Sequence, residues 1–389
     1  MIDFKALAEE KFDYVVSMRR HFHKHPELSR KEFETSKRIC EELEAMGVEY
    51  KAYPDNTVVA IIDTGKPGKT VLVRGDIDAL PVQEDTGAEY ASCVPNVSHV
   101  CGHDTHAAML LGLAKIFNEI KDEMCGKVLL GFQIAEENLF GSRPLVQYVK
   151  ELGGADNSIA IHVSCQTDLG TISIVPGPMA SGVITYKVTM NGVGGHGSVP
   201  HQCKDPIKPA CEYVLKLAAL PSNIYNAQDP IVFSTGSINA GIAPNVIPEK
   251  ATVSGTIRYF NKELTADIHE KVEKLAELVA ESYGLTASIE YPFNDMIPVE
   301  NDPEMCKIGW DVVKEMGLNL VSEGKNMGSD DMAIILDAFP GFYAWIGCAN
   351  EAKGFGHVSN HHPKFDIDED GMKIGTEFLL RNVFKFLGL

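Results

Sequence analysis

Apolar residues recur at helical spacing over residues 3–24 and again over 31–46, where Gly47 closes the run. Each segment is therefore predicted to lay one face on a core. The period then changes. TVVAIID (57–63) and TVLVRGDIDAL (70–80) are β-branched runs on either side of the turn GKPGK, and they read as adjacent strands. A helix follows from about Asp104, then a buried strand KVLLGFQIA (127–135), a helix over 144–152 and a strand SIAIHVS (158–164). Strands alternating with helices predict an α/β sheet covered on both faces.

Past PGPMASG (176–182) the texture shifts to long alternating strands at 183–192, 231–241 and 250–260, interleaved with helices at about 204–219 and 263–283. That is the order of a separate α+β domain. From about residue 300 the chain returns to helix, short loop, strand FYAWIG (342–347) and a last helix over about 368–387. The expected architecture is an α/β domain with a mixed, mainly parallel sheet, formed by 1–180 and 294–389. An α+β domain over 181–293 is inserted into it.

At 389 residues, with 44% apolar and 23% charged, the chain is too long for one compact core, which agrees with two domains. A formal net charge of −19 and the lack of a basic patch argue against nucleic acid and anionic membrane surfaces as partners. No apolar run approaches the roughly 20 residues needed to cross a bilayer. MIDFKALAEE, at the start, has neither a basic segment nor an apolar core of the kind that directs secretion, so a cytoplasmic protein is expected. Nine scattered cysteines, an odd number, read as reduced thiols.

The densest chemistry lies in HVCGHDTHAAML (99–110). Cys101 and His103 lie two apart, so on an extended loop both can converge on one point, and the pair suits Zn²⁺ or a neighbouring transition metal. Other segments offer compatible groups. Glu136 and Glu137 follow one predicted strand, His162 stands at the carboxyl end of another, Asp76 and Asp78 close a third, and His361 and His362 crowd the late loop SNHHPKFD. Ligands in open α/β sheets collect outside those strand ends. Adjacent carboxylates divide into two jobs, one on metal and one free to move a proton. A Cys101 nucleophile with His103 as its base is the competing reading, but it leaves Glu137, His162 and His361 without a role.

RRHFHKHPEL (19–28), RGDIDALP (74–81), CGHDTH (101–106), AEE (135–137), GGHGSVPH (194–201), NVIP (245–248), GTIR (255–258), MGSDD (327–331) and HHPKFD (361–366) occur in that order. Together they resemble the M20 metallopeptidases, in particular the amidohydrolase branch. The resemblance implies a catalytic domain and an inserted lid and dimerisation domain, working as a homodimer. It implies two divalent ions, Zn²⁺ or Mn²⁺ with Co²⁺ or Ni²⁺ as substitutes in vitro, on Cys101, His103, Glu137, His162 and His361, with Cys101 bridging. His361 is preferred over His362 because the family places its ligand two residues before the proline. Glu136 becomes general base and acid, and Asp78 the carboxylate that orients a ligand. His196 donates to the oxyanion, while Asn245 and Arg258 take the substrate carboxylate.

The expected substrate is an N-acyl amino acid. A dipeptidase or carboxypeptidase on the same machinery is the alternative, and a silent binder of amino-acid conjugates a more remote one. No ligand role falls to Asp76, His23 or His25. Asp330, Asp331 and His106 are left open. The chain departs from its relatives in placing Leu139 and Phe140 directly after the paired glutamates, and Ser181 and Gly182 in the hinge.

Overall fold

A computed structural model describes residues 2–389, which divide into two compact units. One holds the chain up to Gly177 together with Val299–Gly324 and Asp330–Leu389; the other holds Pro178–Pro298 and Lys325–Ser329.

In the first unit an eight-stranded mixed sheet runs in the order Glu49–Ala52, Val58–Asp63, Lys127–Gln133, Thr70–Asp76, Asn157–Asp168, Gly341–Ala349, Thr171–Ser173 and Asn319–Val321. Its centre is parallel: Lys127–Gln133, Thr70–Asp76, Asn157–Asp168 and Gly341–Ala349 all run the same way. These central strands are buried along nearly their whole length, as expected of a parallel sheet covered on both faces. The core gathers Val71, Val73, Val128, Leu130, Ile159, Ile161, Phe342 and Ala344 with the helices His103–Glu119 and Asp370–Leu387.

Four expectations are corrected. The segments 57–63 and 70–76 are not neighbours, because Lys127–Gln133 lies between them, antiparallel to the first and parallel to the second. Both are buried over nearly their whole length, so neither carries the solvent-facing alternation that would have fixed a pairing partner. The helix over 3–24 is two, Phe4–Glu10 and Phe12–Lys24, broken at Lys11. Strand 70–80 stops at Asp76 and strand 127–135 at Gln133, so Asp78, Glu136 and Glu137 stand in the loops beyond. His162 does not end its strand, which continues to Asp168 because Gly341–Ala349 pairs with it that far. The partner on the other side, Thr70–Asp76, pairs only as far as Ala160, which leaves the second edge open at His162.

The second unit is a four-stranded antiparallel sheet in the order Val232–Ala240, Lys250–Tyr259, Gly182–Asn191, Thr286–Glu290. The helices Ile207–Ile224 and Thr265–Ser282 pack on one face against Ile184, Tyr186, Val188 and Met190. Val232–Ala240 is an edge strand exposed over most of its length. No helix among the described residues is long and apolar enough to cross a membrane, and all nine cysteines are free.

Candidate metal centre

Gly102 explains how two donors two residues apart share one site. It has φ +99°, and a Cβ there would meet Val163 Cγ2 at 2.5 Å, so only glycine allows the bend between Cys101 and the helix that starts at His103. Cys101 Sγ lies 3.4 Å from His162 Nε2. His103 Nδ1 lies 2.9 Å from the Asp78 carbonyl and 3.2 Å from its Oδ1, which fixes the ring and turns Nε2 into the site. Asp78 Oδ2 accepts from Ser29 Oγ at 2.6 Å and from the Glu137 N–H at 3.1 Å. One buried carboxylate therefore holds a ring from Cys-Gly-His and the backbone of the glutamate pair.

His361, with φ +71°, is held by its N–H donating to the Val100 carbonyl, and its Nε2 lies 3.4 Å from Glu137 Oε1. The donor atoms fall into trios. Those of Cys101, His103 and His162 lie within 4.8 Å of one another, as do those of Cys101, Glu137 and His361, so the two trios share the sulfur. Glu136 Oε2 stands 3.9 Å from His103 Nε2. Among the described residues, the buried atoms His103 Nε2 and Glu137 Oε1 have no hydrogen-bond partner. Buried polar atoms left in this way are costly. A thiol, imidazoles and a carboxylate converging on such atoms fit a pair of divalent cations.

Burial pushes the Cys101 thiol up to about 12, with His103 only partly opposing it. A thiol so far from ionising is a poor nucleophile and a good ligand once a cation displaces its proton. Burial, then Asp330 and Glu137, lift the Glu136 carboxyl far above its ordinary range. Burial opposes charge on His103, but Asp76, Cys101 and Asp78 outweigh it and raise the imidazole. Burial, reinforced by His106, holds His162 well below its ordinary value.

Behind these groups lies a layer that sequence reasoning left unassigned. Asp76 faces His106 Nδ1 at 2.5 Å and accepts from Arg74 Nη1 at 2.5 Å. His106 Nε2 accepts from the Val163 N–H at 3.2 Å, across the open edge beside His162. Asp331 is fully buried and accepts from Arg74 Nη2, Gln133 Nε2 and the Ser142 N–H; Asp330 accepts from the Tyr343 hydroxyl at 2.7 Å. Burial and Asp330 push Asp331 up to about 7 against the pull of Arg74. The advance signals for this network in the sequence were the paired acids of GSDD, Asp76 at a strand end and His106 in CGHDTH, none of which carried an assigned role. His23 is buried between Asp104 and Glu84, with no donor of the trios beside it. Phe140 lies under the Arg30 guanidinium at 4.4 Å.

In the second unit, His196 pairs with Val246 on a two-residue ladder, and the Gly197 N–H donates to the Asn245 carbonyl at 2.8 Å, so His196 and Asn245 are brought together. Arg258 donates through Nη1 to the Met327 carbonyl at 3.0 Å and to Ser329 Oγ at 2.9 Å.

A family profile described as peptidase family M20/M25/M40 matches residues 72–385. The chain is 34% identical over 370 residues to thermostable carboxypeptidase 2 of Saccharolobus solfataricus, covering 94% of this chain and 93% of that one. It is 33% identical over 367 residues to N-acetylcysteine deacetylase of Bacillus subtilis, covering 94% of each. Among solved structures it resembles the Bacillus subtilis YXEP protein, a dinuclear metal binding peptidase from the M20 family. The TM-score is 0.84 at 30% identity, over 98% of this chain and 99% of that one.

Proposed function

The chain belongs to peptidase family M20/M25/M40 and is a metal-dependent amidohydrolase, and on that premise we propose that it cleaves the amide bond of N-acyl amino acids. The products are a carboxylic acid and a free amino acid. The observation that carries this reading is the pair of donor trios meeting at Cys101, with Glu136 beside them.

Cys101, His103, Glu137, His162 and His361 would hold two divalent ions, zinc or manganese. Ions bound there would supply Lewis-acid chemistry, polarising the scissile carbonyl and acidifying a water. Glu136 takes a proton from the attacking water on a carboxylate oxygen and returns it to the leaving nitrogen. Asp78 keeps the His103 ring in place. From the second unit, His196 is assigned as donor to the developing oxyanion, and Asn245 and Arg258 as the pair for the substrate carboxylate. Arg258 suits this because its planar fork meets a carboxylate with two parallel bonds. The exposed edge strand Val232–Ala240 supports a homodimer built through this unit. The relative named a carboxypeptidase favours peptides as a second substrate class.

The test is metal analysis of the purified protein and a side-by-side assay of acetyl-amino acids, benzoyl-amino acids and dipeptides. Glu136→Gln is expected to keep the metal and lose hydrolysis by several orders of magnitude. Near-parental turnover in that variant would remove Glu136 as the proton carrier.

A further inference from the structure

Ala135, the residue before the glutamate pair, has φ +53°, in the left-handed region that a residue with a Cβ occupies only at a cost. Something must hold it there. The turn it opens is closed on itself: the Leu139 N–H donates to the Glu136 carbonyl at 2.6 Å and the Phe140 N–H to the Ala135 carbonyl at 3.1 Å. The N–H of Ala135 itself donates to Glu32 Oε1 at 2.8 Å.

Glu32 lies far away in the chain, just before the helix Phe33–Met46, and has no exposed surface. Its second oxygen is buried with no hydrogen-bond partner among the described residues. A carboxyl buried with one oxygen unpaired is expensive, and its bond to Ala135, helped by the amides of Glu32 and Arg30, offsets part of the cost. The rest of the loop 27–32 points the same way. The Glu27 carbonyl accepts from the Ala79 N–H at 2.8 Å, and Ser29 Oγ donates to Asp78 Oδ2, the oxygen that also receives the Glu137 N–H. Six consecutive residues thus reach both the segment that orients His103 and the turn that carries Glu136 and Glu137.

We propose that Glu32 is a positioning residue for the reaction. By accepting the Ala135 amide it holds the left-handed turn that aims Glu136 and Glu137, and with Ser29 it makes the loop 27–32 a clamp across two segments of the site. The proposal rests on the roles given above to Glu136 and Glu137.

Two variants separate positioning from bulk. Glu32→Met keeps the length but offers no oxygen, whereas Glu32→Gln keeps an oxygen for the Ala135 N–H. The readouts are kcat and KM at saturating zinc or manganese, metal affinity by titration, and amide exchange at Ala135 by NMR. Glu32→Met is expected to lose about 100-fold in kcat with KM within about threefold, while Glu32→Gln stays within about fivefold of the parent. Metal affinity should fall about tenfold or more in Glu32→Met only. The Ala135 amide should be protected in the parent and in Glu32→Gln and exposed in Glu32→Met.

Parental kcat and affinity in Glu32→Met, or equal damage in both variants, would overturn the proposal. If Glu32→Met does not fold, the parent decides: an unprotected Ala135 amide overturns the clamp, a protected one that persists in Glu32→Gln supports it. A parent that hydrolyses no N-acyl amino acid defeats the functional reading instead, and the metal titration and exchange still judge Glu32.

Discussion

Gly102 carries more of the site than its size suggests. It separates Cys101 from His103 in a left-handed conformation, with the Val163 side chain pressed against the place a Cβ would take. Gly102→Ala meets both a steric and a conformational barrier, and is expected to cost about 1–3 kcal/mol. Denaturant titration measures that cost. Metal analysis of the same variant should show a reduced complement, because Cys101 and His103 can no longer face one point. The spacing of Cys101 and His103 was legible in the sequence, since convergence of neighbours in a loop is a local property. Glu32 and Ser29 were not legible: each acts through a contact with a segment dozens of residues away, and a single Glu or Ser ahead of a predicted helix reads as an ordinary exposed or capping residue.

Among the elements, His23 joins three pieces of chain. On the helix Phe12–Lys24, it faces Asp104 on the helix His103–Glu119 at 2.7 Å and Glu84 at 3.3 Å. Burial alone would raise the Glu84 carboxyl, but the His23 ring beside it prevails and brings it down to about 2. A folded value below the ordinary carboxylate range means stability that is present above the unfolded value and lost as pH falls toward 2. Glu84→Gln should therefore lower the thermal midpoint near pH 7, and the gap to the parent should close as the solution is acidified; a gap constant with pH would refute this. The identity of the longer elements was legible from period and β-branching, whereas the short strands Glu49–Ala52, Thr171–Ser173, Thr286–Glu290 and Asn319–Val321 carry too few residues to show a period. Strand order was not legible, because Val58–Asp63 and Thr70–Asp76 are buried on both faces, and the strand between them comes from residues 127–133. The end of a strand is likewise set by its neighbour, which is why His162 sits inside Asn157–Asp168.

For the whole molecule, the edge strand Val232–Ala240 bears Ile238, which is 47% exposed. Sedimentation is expected to give a dimer, and Ile238→Glu a monomer; a monomeric parent would end the dimer reading. The two donor trios also differ in their access to water. His103 and His162 are buried, whereas the side chain of His361 is 54% exposed and hangs on a loop. Cations held on the two trios as proposed should accordingly leave at different speeds. Under a chelator the occupancy is expected to fall in two phases, the faster one slowed or hastened by changes at His361 and the slower one indifferent to them. A preparation caught between the phases would be half-loaded, so the history of a sample, as much as its sequence, would set how much of it can turn over.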